Sequence, residues 1–255
     1  MHSLHGGVAL VVGGTSGIGL ATAKAFLASG TRVVVAARDP QRGVAAQFQL
    51  RALGDAVFHA CDVGDPASVA GLVAFAVDHF GQLDFAVNSA ACDSVPAATH
   101  ELSFEDASNT VSIDVLGVFS CMKHEIAAML RCGGGTIVNV SSVNGLSGVP
   151  SASIYSAGRH AVIGLTRSAA KEYIARGIRI NAVCPGATDT PRRVRRAAHF
   201  TEAQRLEQQA QLAQAIPMGR LARAEEVASA ILWLSSPQSS YVVGHSLVVD
   251  GGLLA

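Results

Sequence analysis

Short apolar runs recur along this chain and alternate with longer stretches whose apolar residues repeat at helical spacing. A run that is apolar throughout is typical of a strand buried on both faces of a parallel sheet. These runs predict seven strands, at Val8–Val12, Thr31–Ala37, Ala56–Ala60, Leu83–Val87, Thr136–Ser141, Arg179–Cys184 and Ser246–Val249.

Helical periodicity fills the intervals between the runs. Two of the predicted helices begin at Leu20 and at Ser153. The others cover Asp39–Leu53, Val69–Phe80, Phe104–Arg131, Pro191–Ile216 and Glu225–Leu234. Strands that alternate with helices specify a doubly wound sheet with right-handed crossovers. The predicted fold class is therefore α/β, a seven-stranded parallel sheet flanked by helices in a single domain over residues 1–255. Residues 190–216 are interpreted as a helical substrate lid within that domain.

The first strand runs directly into a glycine-rich turn that opens a helix. Its three glycines would turn the chain, let the backbone approach a pyrophosphate and let the helix pack closely on its strand. Their spacing, G-x-x-x-G-x-G, differs from the common dinucleotide fingerprint, but the strand before them and the helix after them favour a dinucleotide site. The predicted contacts at this turn are Gly13, Thr15, Ser16, Gly17, Ile18 and Gly19.

The end of the second strand is where a dinucleotide site meets the adenosine ribose. An acid there would hydrogen-bond the 2′-hydroxyl of NAD(H), but Ala37 occupies the position and Arg38 follows it. A guanidinium suits a 2′-phosphate, so NADP(H) is the predicted cofactor and NAD(H) the less favoured one. The alternative is that Arg38 stacks on adenine or pairs with a nearby acid such as Asp39.

Two further strand ends carry candidate cofactor contacts. Asp62, at the exit of the third strand, could accept from the adenine amino group, although a helix N-terminal role for Asp62 and Asp65 is an open alternative. The fourth strand leads into Asn88, Ser89, Ala90 and Ala91. Small residues at the carboxyl end of a central strand are what a ligand crevice requires, because a long side chain would fill it.

Composition narrows the classes of function. The formal net charge is zero and only 15% of the residues are charged, which argues against nucleic acid or an anionic membrane as a partner. So little charge on a chain that is 49% hydrophobic suggests surface buried between subunits. The five cysteines form no C-x-x-C and the histidines form no metal-binding spacing, so we expect reduced thiols and no metal site. We also expect no signal peptide, no membrane span and a cytoplasmic location.

A set of motifs in fixed order resembles the short-chain dehydrogenase/reductase family. It comprises the glycine turn, Ser142, Tyr155 thirteen residues later, and Pro185-Gly186 with Thr190. The resemblance covers essentially the whole chain and implies a Rossmann-type fold that binds NAD(P), moves a hydride to or from a carbonyl carbon of a small molecule, and forms a homotetramer or a homodimer. Ser142 would hold the substrate oxygen and Tyr155 would give or take its proton. The cofactor contacts that it implies are Val63, Asn88, Ala90, Tyr155, Arg159, Pro185, Gly186, Thr188 and Thr190.

The chain departs from the family motifs near this tyrosine. Arg159 stands where Y-x-x-x-K has lysine, and Asp114 stands where an asparagine precedes Gly117 by three residues. The strand-four motif N-N-A-G appears as Asn88-Ser89-Ala90-Ala91. A tyrosine titrates near ~10 and needs a neighbouring cation to become more acidic. Arginine keeps that charge but does not readily release a proton. We therefore expect Asp114 and Arg159 to form a pair beside Tyr155, and both are candidate catalytic residues.

Three functional hypotheses follow from these residues. The first is an NADP(H)-dependent oxidoreductase acting on a ketone or a secondary alcohol, with Tyr155 as acid or base. The second is a non-redox enzyme on the same scaffold, of the isomerase, dehydratase or lyase type. The third is a catalytically weak cofactor-binding module. The predicted lid contains four arginines, Arg192, Arg193, Arg195 and Arg196. They permit an anionic substrate, and the alternative is that they belong to a solvated helix face.

Overall fold

A computed structural model describes residues 4–94, 96–196 and 200–255 of the chain, apart from the Arg196 side chain. Its central sheet contains seven parallel strands in the order β3-β2-β1-β4-β5-β6-β9. The strands of the described part are β1 Val8–Val12, β2 Arg32–Ala37, β3 Ala56–Ala60, β4 Phe85–Asn88, β5 Gly135–Val140, β6 Ile178–Pro185, the short pair β7 Thr188–Asp189 and β8 Ala222–Arg223, and β9 Ser246–Val249. The predicted fold class is confirmed, with strand ends that move by one or two residues.

Helices cover both faces of this sheet. They are α1 Gly17–Ala28, α2 Pro40–Arg51, α3 Pro66–Phe80, α4 Phe104–Val111, α5 Val118–Arg131, α6 Ser153–Tyr173, α7 Pro191–Arg196, α8 Glu202–Ala215 and α9 Ala224–Ser235. None of the helices in these ranges is both long enough and apolar enough to cross a bilayer.

Two predicted helices need correction. The stretch 104–131 is not one α-helix, because a π-helical segment, Ser112–Gly117, separates α4 from α5. The stretch 191–216 contains two helices, α7 and α8, and residues 197–199 between them lie outside the described part. Thr201 starts α8 with a capping box, since its hydroxyl accepts the Gln204 amide while the Gln204 side chain accepts the Thr201 amide.

The core lies in two layers because alternate residues of each strand point to opposite faces of the sheet. Leu10, Val34 and Ile137 pack with α3, α5 and α6 on one face. The intervening residues, such as Val11 and Val33, pack with α1, α2 and α9 on the other.

The sheet order reverses beside β1, which pairs with β2 on one side and β4 on the other. Val12 is in register with Ala36 and with Asn88, so three strands end together. In open α/β sheets, ligands bind outside the carboxyl ends of the strands at this reversal.

Candidate active site

A cavity of about 1190 Å³ opens at this edge of the sheet. Its floor is formed by the glycine turn after β1 and by the residues that follow β2, β4, β5 and β6, and helices α7 and α8 form a wall. The volume is sufficient for an extended ligand such as a dinucleotide together with a small substrate.

The backbone of the glycine turn packs closely against the residues that follow β4. Gly13 has a φ of +80°, and a Cβ on it would lie 2.7 Å from the Ala90 nitrogen. Ser16 occupies the N-cap position of α1 but its side chain makes no capping hydrogen bond. The first N–H groups of this helix are therefore available to an anion, and the turn fits the pyrophosphate of a dinucleotide.

Two cations line the cavity at the end of β2. Arg38 is exposed there, as expected, and Arg42 is a second cation that sequence reasoning missed. Asp39 starts α2 by accepting the amides of Gln41 and Arg42, and its carboxylate lies 2.6 Å from Arg42 Nε. The acid thus pairs with Arg42 rather than with Arg38. An Asp-Pro helix start, visible in the sequence, would have placed Arg42 on the first turn.

Most of the predicted cofactor contacts line the cavity. They are Gly13, Thr15, Ser16, Gly17, Ile18, Arg38, Val63, Ala90, Tyr155, Arg159, Pro185, Gly186, Thr188 and Thr190. Three others do not. Gly19 is a packing residue, because a Cβ on it would collide with the Gly13 carbonyl. Asp62 stabilises a turn by accepting the Gly64 amide at 3.0 Å, whereas Asp65 accepts the Ala67 amide and starts α3.

Asn88 is the third exception, since it is buried behind the cavity in a polar network. Its amide nitrogen donates to Asn139 Oδ1 at 2.9 Å and to Glu125 Oε2 at 3.0 Å. Asn139 in turn donates to Thr166 at 2.9 Å. Burial raises the pKa of Glu125 to about 7, although the Asn88 hydrogen bond acts in the opposite direction. Ser89 and Ala90, the next residues along the chain, line the cavity instead.

Ser142 and Tyr155 both face the cavity. Ser142 follows β5, and its Oγ accepts the Asn144 amide at 3.1 Å, which leaves its own hydroxyl proton for a ligand. Tyr155 is half-buried in the first turn of α6. Burial alone would raise the pKa of its phenol, but the positive charges of Arg159 and Arg192 outweigh that effect and lower it.

Asp114 and Arg159 form the predicted pair. Arg159 Nη2 lies 2.7 Å from Asp114 Oδ2, and their side chains are 2% and 0% exposed. No N–H points along this contact, so it is a close ion pair without an aligned hydrogen bond. Arg159 Nη1 also donates to the Val140 carbonyl at 3.0 Å, and its guanidinium carbon lies 5.0 Å from the Tyr155 ring centroid.

The π-helical segment and a glycine make this pair possible. Asp114 belongs to the segment, and its Oδ1 accepts the Cys92 amide at 2.7 Å. A Cβ on Gly158 would lie 3.3 Å from the Asp114 Cβ, so the glycine lets α6 approach the segment. π-Helical turns inside α-helices often occur at functional sites. The carboxylate therefore reaches Arg159, which lines the cavity, from a neighbouring helix.

Arg192, one of the four arginines noted in the sequence at 191–216, contacts Tyr155, a contact that the sequence did not predict. It hydrogen-bonds Tyr155, and its guanidinium carbon lies 5.6 Å from the centroid of that ring. Arg192 Nε also donates to Asp93 Oδ1 at 2.8 Å, and Nη2 donates to the Cys92 carbonyl. Arg192 is thus fixed to the loop after β4 while its guanidinium contacts the tyrosine ring.

No group of three or more histidine, cysteine, aspartate or glutamate side chains converges within ranges 4–94, 96–196 and 200–255.

A parallel sheet with a glycine turn at its reversal, and a serine and an acidified tyrosine in the same cavity, define an α/β dinucleotide-binding enzyme. The chain belongs to the short-chain dehydrogenase/reductase family. A family model described as enoyl-(acyl carrier protein) reductase matches residues 12–254. These findings confirm the predicted family and the oxidoreductase class.

Individual relatives agree with this assignment. Cis-4-hydroxycyclohexanecarboxylate dehydrogenase of Sinomonas cyclohexanicum is 44% identical, over 97% of this chain and 96% of its own length. The crystal structure of levodione reductase superposes with a TM-score of 0.94 at 31% identity and 97% coverage of both chains. A variant of actinorhodin polyketide ketoreductase, solved with NADPH, has a TM-score of 0.92 at 35% identity and 99% coverage of both.

Proposed function

We propose that the protein is an NADP(H)-dependent oxidoreductase that interconverts a ketone and a secondary alcohol, with Tyr155 as the proton donor and acceptor. In the reductive direction, ketone, NADPH and one proton give alcohol and NADP⁺. The observation that carries the proposal is the acidified Tyr155 facing the same cavity as Ser142 and the glycine turn.

The cofactor assignment rests on the residues that follow two adjacent strands, β1 and β2. The glycine turn fits the pyrophosphate, and Arg38 with Arg42 provides positive charge where the 2′-phosphate of NADP(H) would bind. When bound, the nicotinamide supplies or accepts the hydride. The ketoreductase neighbour solved with NADPH supports the phosphorylated cofactor.

The protein supplies the proton and stabilises the oxygen. Negative charge develops on the carbonyl oxygen during reduction, so donors must point at it. Ser142 Oγ donates one hydrogen bond, and Tyr155 transfers its phenolic proton. Arg159 stabilises the phenolate through its charge and does not relay a proton, because a guanidinium remains protonated.

The substrate is proposed to be a cyclic ketone or alcohol. Cyclohexanecarboxylate chemistry appears in the name of the 44% identical relative. The lid helices α7 and α8 would cover such a ring, since both line the cavity wall. Pro185, Gly186, Thr188 and Thr190 also line the cavity and are proposed contacts of the nicotinamide end.

A homodimer or homotetramer is part of the proposal. Apolar side chains are exposed on α4 and α5 and near the end of α9, where a subunit interface would bury them. They include Phe104, Phe119, Trp233 and Tyr241.

Cofactor consumption with cyclic ketones tests the function. The wild-type protein should oxidise NADPH when a substituted cyclohexanone is added. Tyr155→Phe should lower the turnover number by roughly 10²–10⁴-fold, since it removes the proton donor, while NADPH binding persists. Tyr173→Phe is the matched control, because it removes a hydroxyl from the far end of the same helix. Equal turnover of Tyr155→Phe and the wild type would refute the role of the tyrosine.

A further inference from the structure

The wall of the cavity formed by the lid is strongly basic, although the chain has no net charge. Four arginines line this wall: Arg192 and Arg193 and Arg195 from α7, and Arg205 from α8. Asp93 is the one carboxylate among the described residues that line the whole cavity. A single acid cannot neutralise four guanidinium groups.

The pairing of these charges shows which cations are uncompensated. Asp93 is shared by Arg192, at 2.8 Å, and Arg195, at 3.6 Å. Neither Arg193 nor Arg205 pairs with a carboxylate anywhere in the part of the chain that the structure describes. Both are partly buried, so their charges are less screened than those on the outer surface.

The position of this wall separates it from the cations proposed for the cofactor ribose. Arg38 and Arg42 lie beyond the end of β2, at the adenosine side of the cavity. Arg192 contacts the ring of Tyr155, at the side where the substrate carbonyl reacts. The lid therefore places positive charge next to the reacting centre.

We propose that the substrate carries a carboxylate and that the lid arginines bind it, which rests on the oxidoreductase function proposed above. Arginine presents a planar fork of donors that matches a carboxylate in a bidentate geometry. Arg193 and Arg205 provide the uncompensated charge, and Gln208 and Gln209 of α8 add amide donors on the same wall. The substrate class is thus an oxo or hydroxy acid, with the carbonyl at Tyr155 and the carboxylate at the lid.

The competing role for these arginines is binding of the cofactor phosphates. The two roles differ in what the arginines recognise, so binding of the acid and of the cofactor must be measured separately. Calorimetric titration of the protein–NADP⁺ complex with cyclohexanecarboxylate, and with the neutral cyclohexanecarboxamide, measures anion recognition without turnover. The wild-type complex should bind the carboxylate roughly 10-fold or more tightly than the amide, as expected for a charge-assisted contact.

The double variant Arg193→Gln with Arg205→Gln should lose this preference, while Arg131→Gln, which removes an exposed arginine of α5 outside the cavity, should keep it. Equal binding of acid and amide by the wild type would overturn the inference. So would a double variant that keeps the preference, or one that only weakens NADP⁺ binding.

Turnover provides the second arm and separates the two proposals. The wild type should reduce 4-oxocyclohexanecarboxylate with a kcat/KM at least roughly 10-fold above that of its methyl ester, and the ratio should fall towards one in the double variant. Equal kcat/KM values for acid and ester would overturn the inference and leave the oxidoreductase function intact. Preferred binding of the carboxylate without NADPH consumption on any ketone would support the inference and refute the proposed reaction.

Discussion

Two buried carboxylates, Asp114 and Glu125, lie on consecutive helical segments and face the same layer of the core. Both are fully buried. Asp114 has a guanidinium nitrogen at 2.7 Å and also accepts the Cys92 amide. Glu125 has the Asn88 amide nitrogen at 3.0 Å and no cation beside it in the described structure.

The difference shows what a buried acid needs in order to remain charged. An amide donor alone does not offset the loss of water, so the pKa of Glu125 rises to about 7. Asp114 instead lies 2.7 Å from the Arg159 guanidinium, so its buried carboxylate has a cation as its partner. Glu125 is thus a structural group whose pKa lies near neutral pH, whereas Asp114 is paired with the cation that contacts the Tyr155 ring.

Removing the cation should make the two sites alike. In Arg159→Met the Asp114 carboxylate stays buried without its partner, and the free energy of unfolding should fall by about 3–5 kcal/mol, as measured by denaturant titration. The double change Arg159→Met with Asp114→Asn should recover much of this loss, because no buried charge remains. A loss in the single variant no larger than in the double variant would show that the pair does not hold a charge.

The converse experiment replaces the buried carboxyl group of Glu125, which has no cation beside it in the described structure, with a neutral amide. Folded Glu125 has a pKa of about 7 against an ordinary value of 4.5 for a glutamate, so the folded state holds the proton more tightly. The stability that this provides is fully present below pH 4.5 and is lost as the pH rises through 7. Glu125→Gln should therefore be more stable than the wild type by about 3 kcal/mol at pH 8, and the gain should vanish near pH 4.5.

Urea denaturation across this pH range measures that gain. Glu172→Gln is the matched control, since it changes an exposed glutamate of α6. A pH-independent difference between the wild type and Glu125→Gln would contradict the assigned pKa.

Arg38 is an exposed cation, in contrast to the buried Asp114 and Glu125. Arg38→Gln should weaken NADPH binding by about 1–3 kcal/mol while leaving NADH binding nearly unchanged, since only NADPH has the 2′-phosphate. Fluorescence titration with both cofactors checks this, with Arg131→Gln as the control. Binding of NADH at least as tight as that of NADPH by the wild type would show that the cofactor is misassigned.

The smallest expected effect concerns turnover and the coupling between Asp114 and Arg159. Arg159→Lys alone should not bring turnover to the level typical of the family, because Asp114 would still pair with the shorter cation. Adding Asp114→Asn should raise turnover, or lower the pH optimum, beyond the sum of the single changes by about 0.5–3 kcal/mol of coupling. Steady-state kinetics of the four proteins measure this coupling. Additive effects would mean that the pair does not act on Tyr155 as a unit.

The sheet and the glycine turn follow from local patterns, which explains why they could be predicted from the sequence. Val8–Val12 is apolar at every position, and Gly13 has the positive φ that its turn requires. The Asp114–Arg159 pair was also predictable. Both residues depart from the family motifs at positions that the resemblance implies are neighbours, and their charges are opposite.

The remaining features depend on tertiary contacts. The π-helical segment has no local signal, and it forms where Gly117 packs against Val63 and Asp114 reaches towards α6. Arg192 contacts a carbonyl 100 residues earlier in the chain, and sequence periodicity does not predict contacts over that separation. Asn88 follows the strand pattern, but the partners that bury it lie on β5 and α5.

Transfer of deuterium tests the central claim most directly, because it distinguishes redox chemistry from the non-redox alternatives on the same scaffold. NADPH deuterated at C4 of the nicotinamide, on each face in turn, is incubated with 4-oxocyclohexanecarboxylate and the protein, and the alcohol is analysed by mass spectrometry. We expect the label from one face to appear on the carbinol carbon with the wild type, and almost no alcohol with Tyr155→Phe. An altered substrate that contains no deuterium from either face, formed without oxidation of NADPH, would contradict the assignment of the protein as an oxidoreductase.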